Sequence, residues 1–183
     1  MIPQMPIGIV LAGGKSQRMG KNKALLEYHQ VPQFQFVAQN LMPFCKSLFI
    51  NGLAQNYSSD FETFSDSSQF MNHGPISGLL SSVELFKGES LFVHAIDYPF
   101  ISEYSINQLF TKFQLHNQSV CFRHPESGFL EPLIAIYHAK DLFYLLDFYK
   151  SGQFSMRHFL ESINPVILDS VSARELLSVD EPL

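Results

Sequence analysis

One glycine-rich stretch holds a third of the chain's cations. Lys15, Arg18, Lys21 and Lys23 are four of the twelve basic residues among 183, and no acid lies between them. Gly13, Gly14 and Gly20 fall within and just before this run. Cations packed so closely repel one another, and a bound polyanion relieves that repulsion. Glycine lets the backbone approach closely and aim its N–H groups at oxygen, so the chemistry indicated is phosphate binding. Arg18 can hold two phosphate oxygens with its planar fork, and Lys23 offers a point charge for a phosphate. Lys15 and Lys21 are read as solvated. A second residue of interest is Asp97, which follows the apolar run Leu91–Ile96 and precedes Pro99. A carboxylate there is a hard oxygen donor of the kind that binds divalent cations. Capping of a following helix explains Asp97 less well, because the next helical pattern starts only near Ser102.

The common phosphate templates do not fit. Gly13, Gly14 and Gly20 have the wrong spacing for the dinucleotide pattern G-x-G-x-x-G. The P-loop pattern fails because Gly14 to Gly20 is one residue too long and Asn22 stands where Ser or Thr is needed. No Ser/His/Asp or Cys/His arrangement stands out as a nucleophilic set.

The elements that must position these residues follow from hydrophobic patterning. Ile7–Ala12, Ser47–Asn51, Phe61–Phe64, Leu91–Ile96, Ser119–Arg123, Leu130–Tyr137 and Pro165–Leu168 read as strands. Helices are expected from Pro32 to about Leu41, at Pro75–Phe86, from Ser102 to about Leu115, at Ala139–Tyr149 and at Ser155–Glu161. Strands alternate with helices from the start, which favours an α/β fold with a mostly parallel sheet. In such sheets ligands sit at the carboxyl ends of the strands, so the glycine loop and Asp97 are expected to face one site.

Composition narrows the function classes. The length suits one domain with a substantial core. A net charge of −5 argues against nucleic acid as a partner. No apolar run is long enough for a membrane span. The first residues lack the basic and apolar regions of a secretory signal, and a cytoplasmic location is expected. Cys45 and Cys121 fit no metal or redox spacing and read as buried or half-buried thiols.

The stretch Leu11–Lys23 reads L-A-G-G-x-S-x-R-M-G-x-x-K. It resembles the signature loop of the nucleotidyltransferases that attach a nucleotide to molybdopterin, the molybdenum cofactor guanylyltransferase (MobA-like) family above all. The resemblance covers nearly the whole chain. SLFINGL is similar to the family's second strand and places Asn51 at its end, where a turn asparagine before Gly52 is the other reading. FSDSSQFMNHGPISGLL is similar to its G-P-L-x-G segment and carries over Asp66, Gly74, Pro75 and Gly78. FVHAIDYPFIS resembles its D-x-P strand end, EPLIAIY its later strand, and GQFSMRHFLE its G-x-R-S-x-R segment.

The resemblance implies a single-domain, three-layer nucleotidyltransferase with a Rossmann-like sheet. Its nucleotide-binding half spans about 1–100 and its acceptor-binding half about 101–183. The implied reaction is transfer of GMP from GTP to molybdopterin with release of pyrophosphate, with Mg²⁺ as cofactor. The implied nucleotide contacts are Leu11, Ala12, Gly13, Gly14, Arg18, Lys23, Asn51, Asp66 and Gly78. Arg18, Lys23 and Asp97 are the expected catalytic groups. Asp97 is the expected metal ligand and Asp180 a second candidate. Asp66 is placed either to accept from guanine N1–H and N2–H₂ or to cap a turn. Arg157, Ser178 and Asp180 are candidates on the acceptor side, Arg157 being equally readable as an exposed helix arginine. Transient contacts with molybdoenzyme maturation proteins are expected.

Several residues depart from the family pattern. Asn22 replaces the usual aspartate before Lys23, Gly152–Phe154 lacks the usual basic residue before Ser155, and Ser178 and Asp180 stand where the family has asparagines. Gly13 favours GTP, because guanylyl-transferring members resemble this chain in having L-A-G-G where cytidylyl-transferring relatives tend to have L-A-A-G. The alternatives are a cytidylyltransferase, a nucleotidyltransferase for another small acceptor, and a nucleotide-binding relative with little or no turnover.

Overall fold

The computed structural model describes residues 5–13, 23–53 and 60–179. Strand β1 (Ile7–Leu11) is buried along its whole length. It pairs in parallel with β2 (Ser47–Asn51) on one side and β4 (Leu91–Ala95) on the other. A strand covered on both faces needs a continuous apolar run, which IGIVL and LFVHA supply. β3 (Glu62–Phe64) extends the sheet beyond β2. On the far side come β6 (Leu130–Tyr137), β5 (Val120–Arg123) and β7 (Val166–Leu168), giving the seven-stranded order β3-β2-β1-β4-β6-β5-β7. β6 alone among them runs antiparallel to its neighbours.

Side chains alternate between the two sheet faces. Val10, Ala12 and Ile50 meet Phe34, Val37 and Ala38 of α1 (Gln33–Leu41). Ile9 and Leu11 instead join Ile76, Leu79 and Leu80 of α2 (Pro75–Leu85). Helices therefore cover both faces, as a three-layer α/β domain requires. α3 (Glu103–His116) starts at Ser102, whose hydroxyl accepts from Ser105 N–H at 3.2 Å, and it stops at Asn117 in the left-handed region. The expected helix over Ala139–Tyr149 forms as two short helices, α4 (Ala139–Leu142) and α5 (Leu145–Lys150). The chain tightens between them, with Tyr144 N–H donating to Asp141 O at 3.1 Å. That turn buries Leu142 and Leu145 while Phe143 and Tyr144 face outward. Helix α6 (Met156–Ser162) then packs on β6, with Ser155 as its N-cap.

Sheet register fixes the functional edge. Leu11 pairs with Asn51 and with Ala95, and Asn51 pairs with Phe64, so four strands end in one row. Bonds one residue further on extend the row: Ala12 N–H donates to Asn51 O, Gly52 N–H to Phe64 O and Ile96 N–H to Leu11 O. The chain then leaves the sheet at Gly13, Gly52, Asp66 and Asp97, all on the same edge.

Candidate active site

A cavity of about 690 Å³ opens at this edge, lined by Leu11, Gly13, Asn51, Asp66, Gly78 and Asp97 together with Gly52, Asn72, Gly74, Pro75, Ala95 and Leu133. The first six are residues that the sequence pointed to, and they arrive from β1, β2, β4, α2 and the turn after β3.

On one side, Asn51 donates from Nδ2 to Asp66 Oδ1 at 3.0 Å. Asn51 is buried, so this bond orients the carboxylate and satisfies the amide. Serine hydroxyls on α2 hold the loop that carries Asp66. Ser67 N–H donates to Ser81 Oγ at 2.8 Å, His73 N–H donates to Ser77 Oγ, and Ser77 Oγ donates to Phe70 O. Ser77 and Ser81 lie one turn apart and so face the same loop. Their helical spacing was the available sequence signal for this role.

Close backbone packing brings the walls together. Gly52 has φ +79°, and a Cβ there would lie 2.6 Å from Gly13 Cα. Only glycine lets β2 turn at that point against the loop after β1. A Cβ at Gly78 would lie 2.5 Å from Asn51 Oδ1 and 2.9 Å from Leu11 Cδ2. Gly13 differs, since a methyl there would sit 3.4 Å from Gly52 Cα, an ordinary contact. Folding therefore does not demand glycine at position 13, and its bare face borders the cavity.

On the other side, Lys23 Nζ lies 2.6 Å from Asp97 Oδ1. The Lys23 side chain is 6% exposed and that of Asp97 34%. Lys23 opens a short 3₁₀ turn, Lys23–Leu25, whose Ala24 is packed against α1 in the core. The turn delivers the ammonium to the carboxylate, which keeps a face toward solvent. A buried ammonium needs such a partner, because desolvation without one is expensive. The sequence separately assigned Lys23 to phosphate and Asp97 to metal, whereas the structure couples them directly.

The remaining expected residues divide clearly. Ala12 is buried beside α1 and contributes backbone to the edge. Gly14, Arg18 and Asp180 lie outside the described residues, as do Lys15, Gly20, Lys21 and Asn22. Arg157 borders a second cavity of about 300 Å³ that shares Pro75 and Leu133 with the first. Its guanidinium lies 4.4 Å from the Phe129 ring centre, and its buried Nε has no hydrogen-bond partner among the described residues. Ser178 is exposed, and the next residue, Val179, donates its N–H to Asp97 O at 2.9 Å. Of the lining residues not anticipated as contacts, Gly52 was signalled by an Asn-Gly pair after a buried strand. Ala95 and Leu133 carry no local signal, since apolar strand positions look alike in sequence.

Asp97 and Asp66 are the carboxylates in the lining, and no group of three or more His, Cys, Asp or Glu able to hold a metal occurs among the described residues. Asp97, a hard oxygen donor whose side chain is 34% exposed, is of the kind that Mg²⁺ takes as one of its one or two carboxylates. Among the described residues, no helix is long and apolar enough to cross a membrane. Both cysteines are free and buried.

Known proteins share this architecture. The chain is 28% identical over 141 residues to a molybdenum cofactor biosynthesis bifunctional protein of Synechocystis sp., a match that covers 74% of this chain and 40% of that longer protein. It is 25% identical to a molybdenum cofactor guanylyltransferase of Campylobacter jejuni, covering 72% of this chain and 68% of that one. The crystal structure of molybdopterin-guanine dinucleotide biosynthesis protein A from Archaeoglobus fulgidus superposes with a TM-score of 0.67 at 20% identity, over 93% of this chain and 85% of that one. A family model described as the MobA-like NTP transferase domain matches residues 8–166, from β1 to the start of β7. With that match spanning the sheet and its functional edge, the chain belongs to the family of MobA-like NTP transferase domains.

Proposed function

We propose that the protein transfers GMP from GTP to molybdopterin and releases pyrophosphate, forming a guanine dinucleotide cofactor. The observation that carries this reading is the shared row of strand ends. It brings a carboxylate held by an asparagine to one side of a cavity and a Lys–Asp pair to the other. A base and a polyphosphate need those two kinds of surface.

Asp66 Oδ2 accepts no hydrogen bond among the described residues, which suits it to accept from guanine N1–H and N2–H₂. Gly13 and Gly78 keep the wall low beside it, and Leu11 supplies apolar contact. Lys23 neutralises phosphate charge, and Arg18 with the loop glycines completes the cradle. An oxygen of the molybdopterin phosphate attacks the α-phosphorus in line. A new P–O bond forms, the bond to the bridging oxygen breaks, and pyrophosphate leaves with the electron pair. The attacking oxygen is already ionised, so positioning and charge neutralisation do the work and no strong general base is needed. Asp97 would hold Mg²⁺, which would supply Lewis-acid stabilisation of the phosphate charge. Arg157 suits the acceptor's phosphate, Ser178 precedes the residue that bonds the Asp97 carbonyl, and Asp180 is a further acceptor-side candidate. The nucleotide-binding half then corresponds to about 1–100 and the acceptor half to about 101–183. The molybdopterin assignment draws on the relatives' names.

The test is pyrophosphate release with Mg²⁺ and molybdopterin, comparing GTP with CTP and wild type with Asp97→Asn. Release with GTP alone, abolished in the variant, is the expected result. Release with CTP would move the base assignment. Binding of GTP without release would favour a relative with little turnover, a reading supported by Asn22 and Ser178 at positions where the family carries other residues.

A further inference from the structure

The turn that presents Asp97 is held at several backbone carbonyls. Gln33 Nε2 donates to Ile96 O at 3.1 Å, Val179 N–H donates to Asp97 O at 2.9 Å, and His29 Nε2 donates to Pro99 O at 2.7 Å. Gln33 and His29 come from the segment that also delivers Lys23. Val179 comes from the other end of the chain, and its grip needs a separate anchor. Val171 and Leu176 sink the last described segment into the core. Between them, Glu175 ties it to the start of α3.

Five bonds converge on this one carboxylate. Oε1 accepts from Ser102 N–H at 3.1 Å, Ser102 Oγ at 2.6 Å and Ser105 Oγ at 2.7 Å. Oε2 accepts from Ser172 N–H at 3.2 Å and Ser172 Oγ at 3.0 Å. Partial burial pushes the carboxyl pKa up. The hydroxyl and amide bonds outweigh that and hold it down to about 2, so the group is an anion at any ordinary pH. Ser102 follows the Asp97 turn by only a few residues. We propose that Glu175 is a positioning residue for the candidate site. It locks the C-terminal segment to the start of α3, so that Ser102 at one end and Val179 on the Asp97 carbonyl fix the turn between them. This rests on the nucleotidyltransferase reading only for its effect on rate; the effect on the turn stands apart from it.

Glu175→Gln is the informative variant. Backbone N–H groups reach both carboxylate oxygens, and a glutamine has one acceptor oxygen, so one of the two amides must face an NH₂ group. The full chain would be followed by amide hydrogen exchange, by Mg²⁺–GTP binding and by pyrophosphate release. Expected are faster exchange in peptides covering 96–105 and 172–179, with β1 and β4 unchanged, and a fall in kcat on the order of tenfold, since small misplacements of a reacting group are costly. KM for GTP should change little, because Asn51 and Asp66 sit on the opposite wall. A merely structural role would lower the melting temperature and leave kcat of the folded enzyme intact, and that outcome overturns the proposal. Should wild type itself release no pyrophosphate, the reaction reading fails and exchange decides for Glu175. Equal protection of 96–105 in both proteins would then overturn its role. Should Glu175→Gln not fold, Ser105→Ala keeps the carboxylate and removes one of its five bonds, together with the Ser102–Ser105 hydroxyl contact. It is expected to shift exchange and kcat in the same direction by less, and no shift in either overturns the proposal.

Discussion

Lys23 is 5% exposed, and its ammonium lies 2.6 Å from Asp97. Removing the carboxylate leaves that charge in a dry place, which for a fully buried pair costs about 3–5 kcal/mol. Asp97 is 34% exposed on its side chain, and water reaching it lowers the figure. Asp97→Ala should therefore destabilise the protein by about 2 kcal/mol in urea denaturation at neutral pH. Adding Lys23→Met should recover part of the loss, because the buried ammonium goes with it. Simple additivity of the two changes would show that they are not coupled. An alanine at Asp97 thus weakens the fold as well as the chemistry, so loss of activity there needs the asparagine variant beside it. Asp97 itself was legible in sequence as a carboxylate ending an apolar strand. Its pairing with Lys23 was not, since the two are far apart in the chain and meet only when β4 lies beside β1. Glu175 was equally hidden, because a glutamate in a polar C-terminal stretch looks like solvated surface until Ser102 and Ser105 are folded beneath it.

Glycines at the sheet edge couple strands to helix. Gly78→Ala would drive a methyl against Asn51 Oδ1 and Leu11 Cδ2. Overpacking of this kind costs about 1–3 kcal/mol. The displaced Asn51 would also lose its grip on Asp66, so weaker nucleotide binding should accompany the stability loss. Gly74→Ala is the contrast. Its φ is +73° and its ψ −149°, a region almost reserved for glycine, but no atom lies within 4 Å of the added methyl, so backbone strain of about 1–3 kcal/mol without displacement of Asn51 is expected. Equal effects of the two alanines on GTP binding, measured by calorimetry, would contradict the assigned role of Gly78. The strands were legible because each is a short apolar run bounded by turn residues. The break between α4 and α5 was not, because Leu142, Leu145 and Leu146 fit one continuous helix as well as two short ones. What decides it is the packing of Leu142 and Leu145, a tertiary effect.

His94 lies in β4, the strand paired to β1 on one side and β6 on the other, and it is completely buried. A proton on it is therefore felt by the whole fold. Its Nδ1–H donates to Ala95 O at 2.8 Å, which leaves Nε2 as a buried acceptor with no partner among the described residues. Burial lowers the imidazole pKa from 6.5 to about 4, against a smaller upward pull from the Ala95 carbonyl. Between those values the unfolded chain binds a proton that the folded protein excludes, so stability rises with pH across this window. Acidification from 6.5 to 4 should remove about 3 kcal/mol through this one residue. Glu175 adds to the loss at still lower pH, because a carboxyl held down to about 2 stabilises the fold above its unfolded value of 4.5 and ceases to as pH falls toward 2. Replacing His94 by leucine separates the two. A side chain of similar size fills the space, and the unpartnered acceptor disappears. Urea denaturation of wild type and His94→Leu at pH 7 and pH 4.5 should show the variant losing less stability on acidification, by about 2–3 kcal/mol. Parallel losses in the two proteins would mean that carboxylates elsewhere govern the acid response and that the buried imidazole does not.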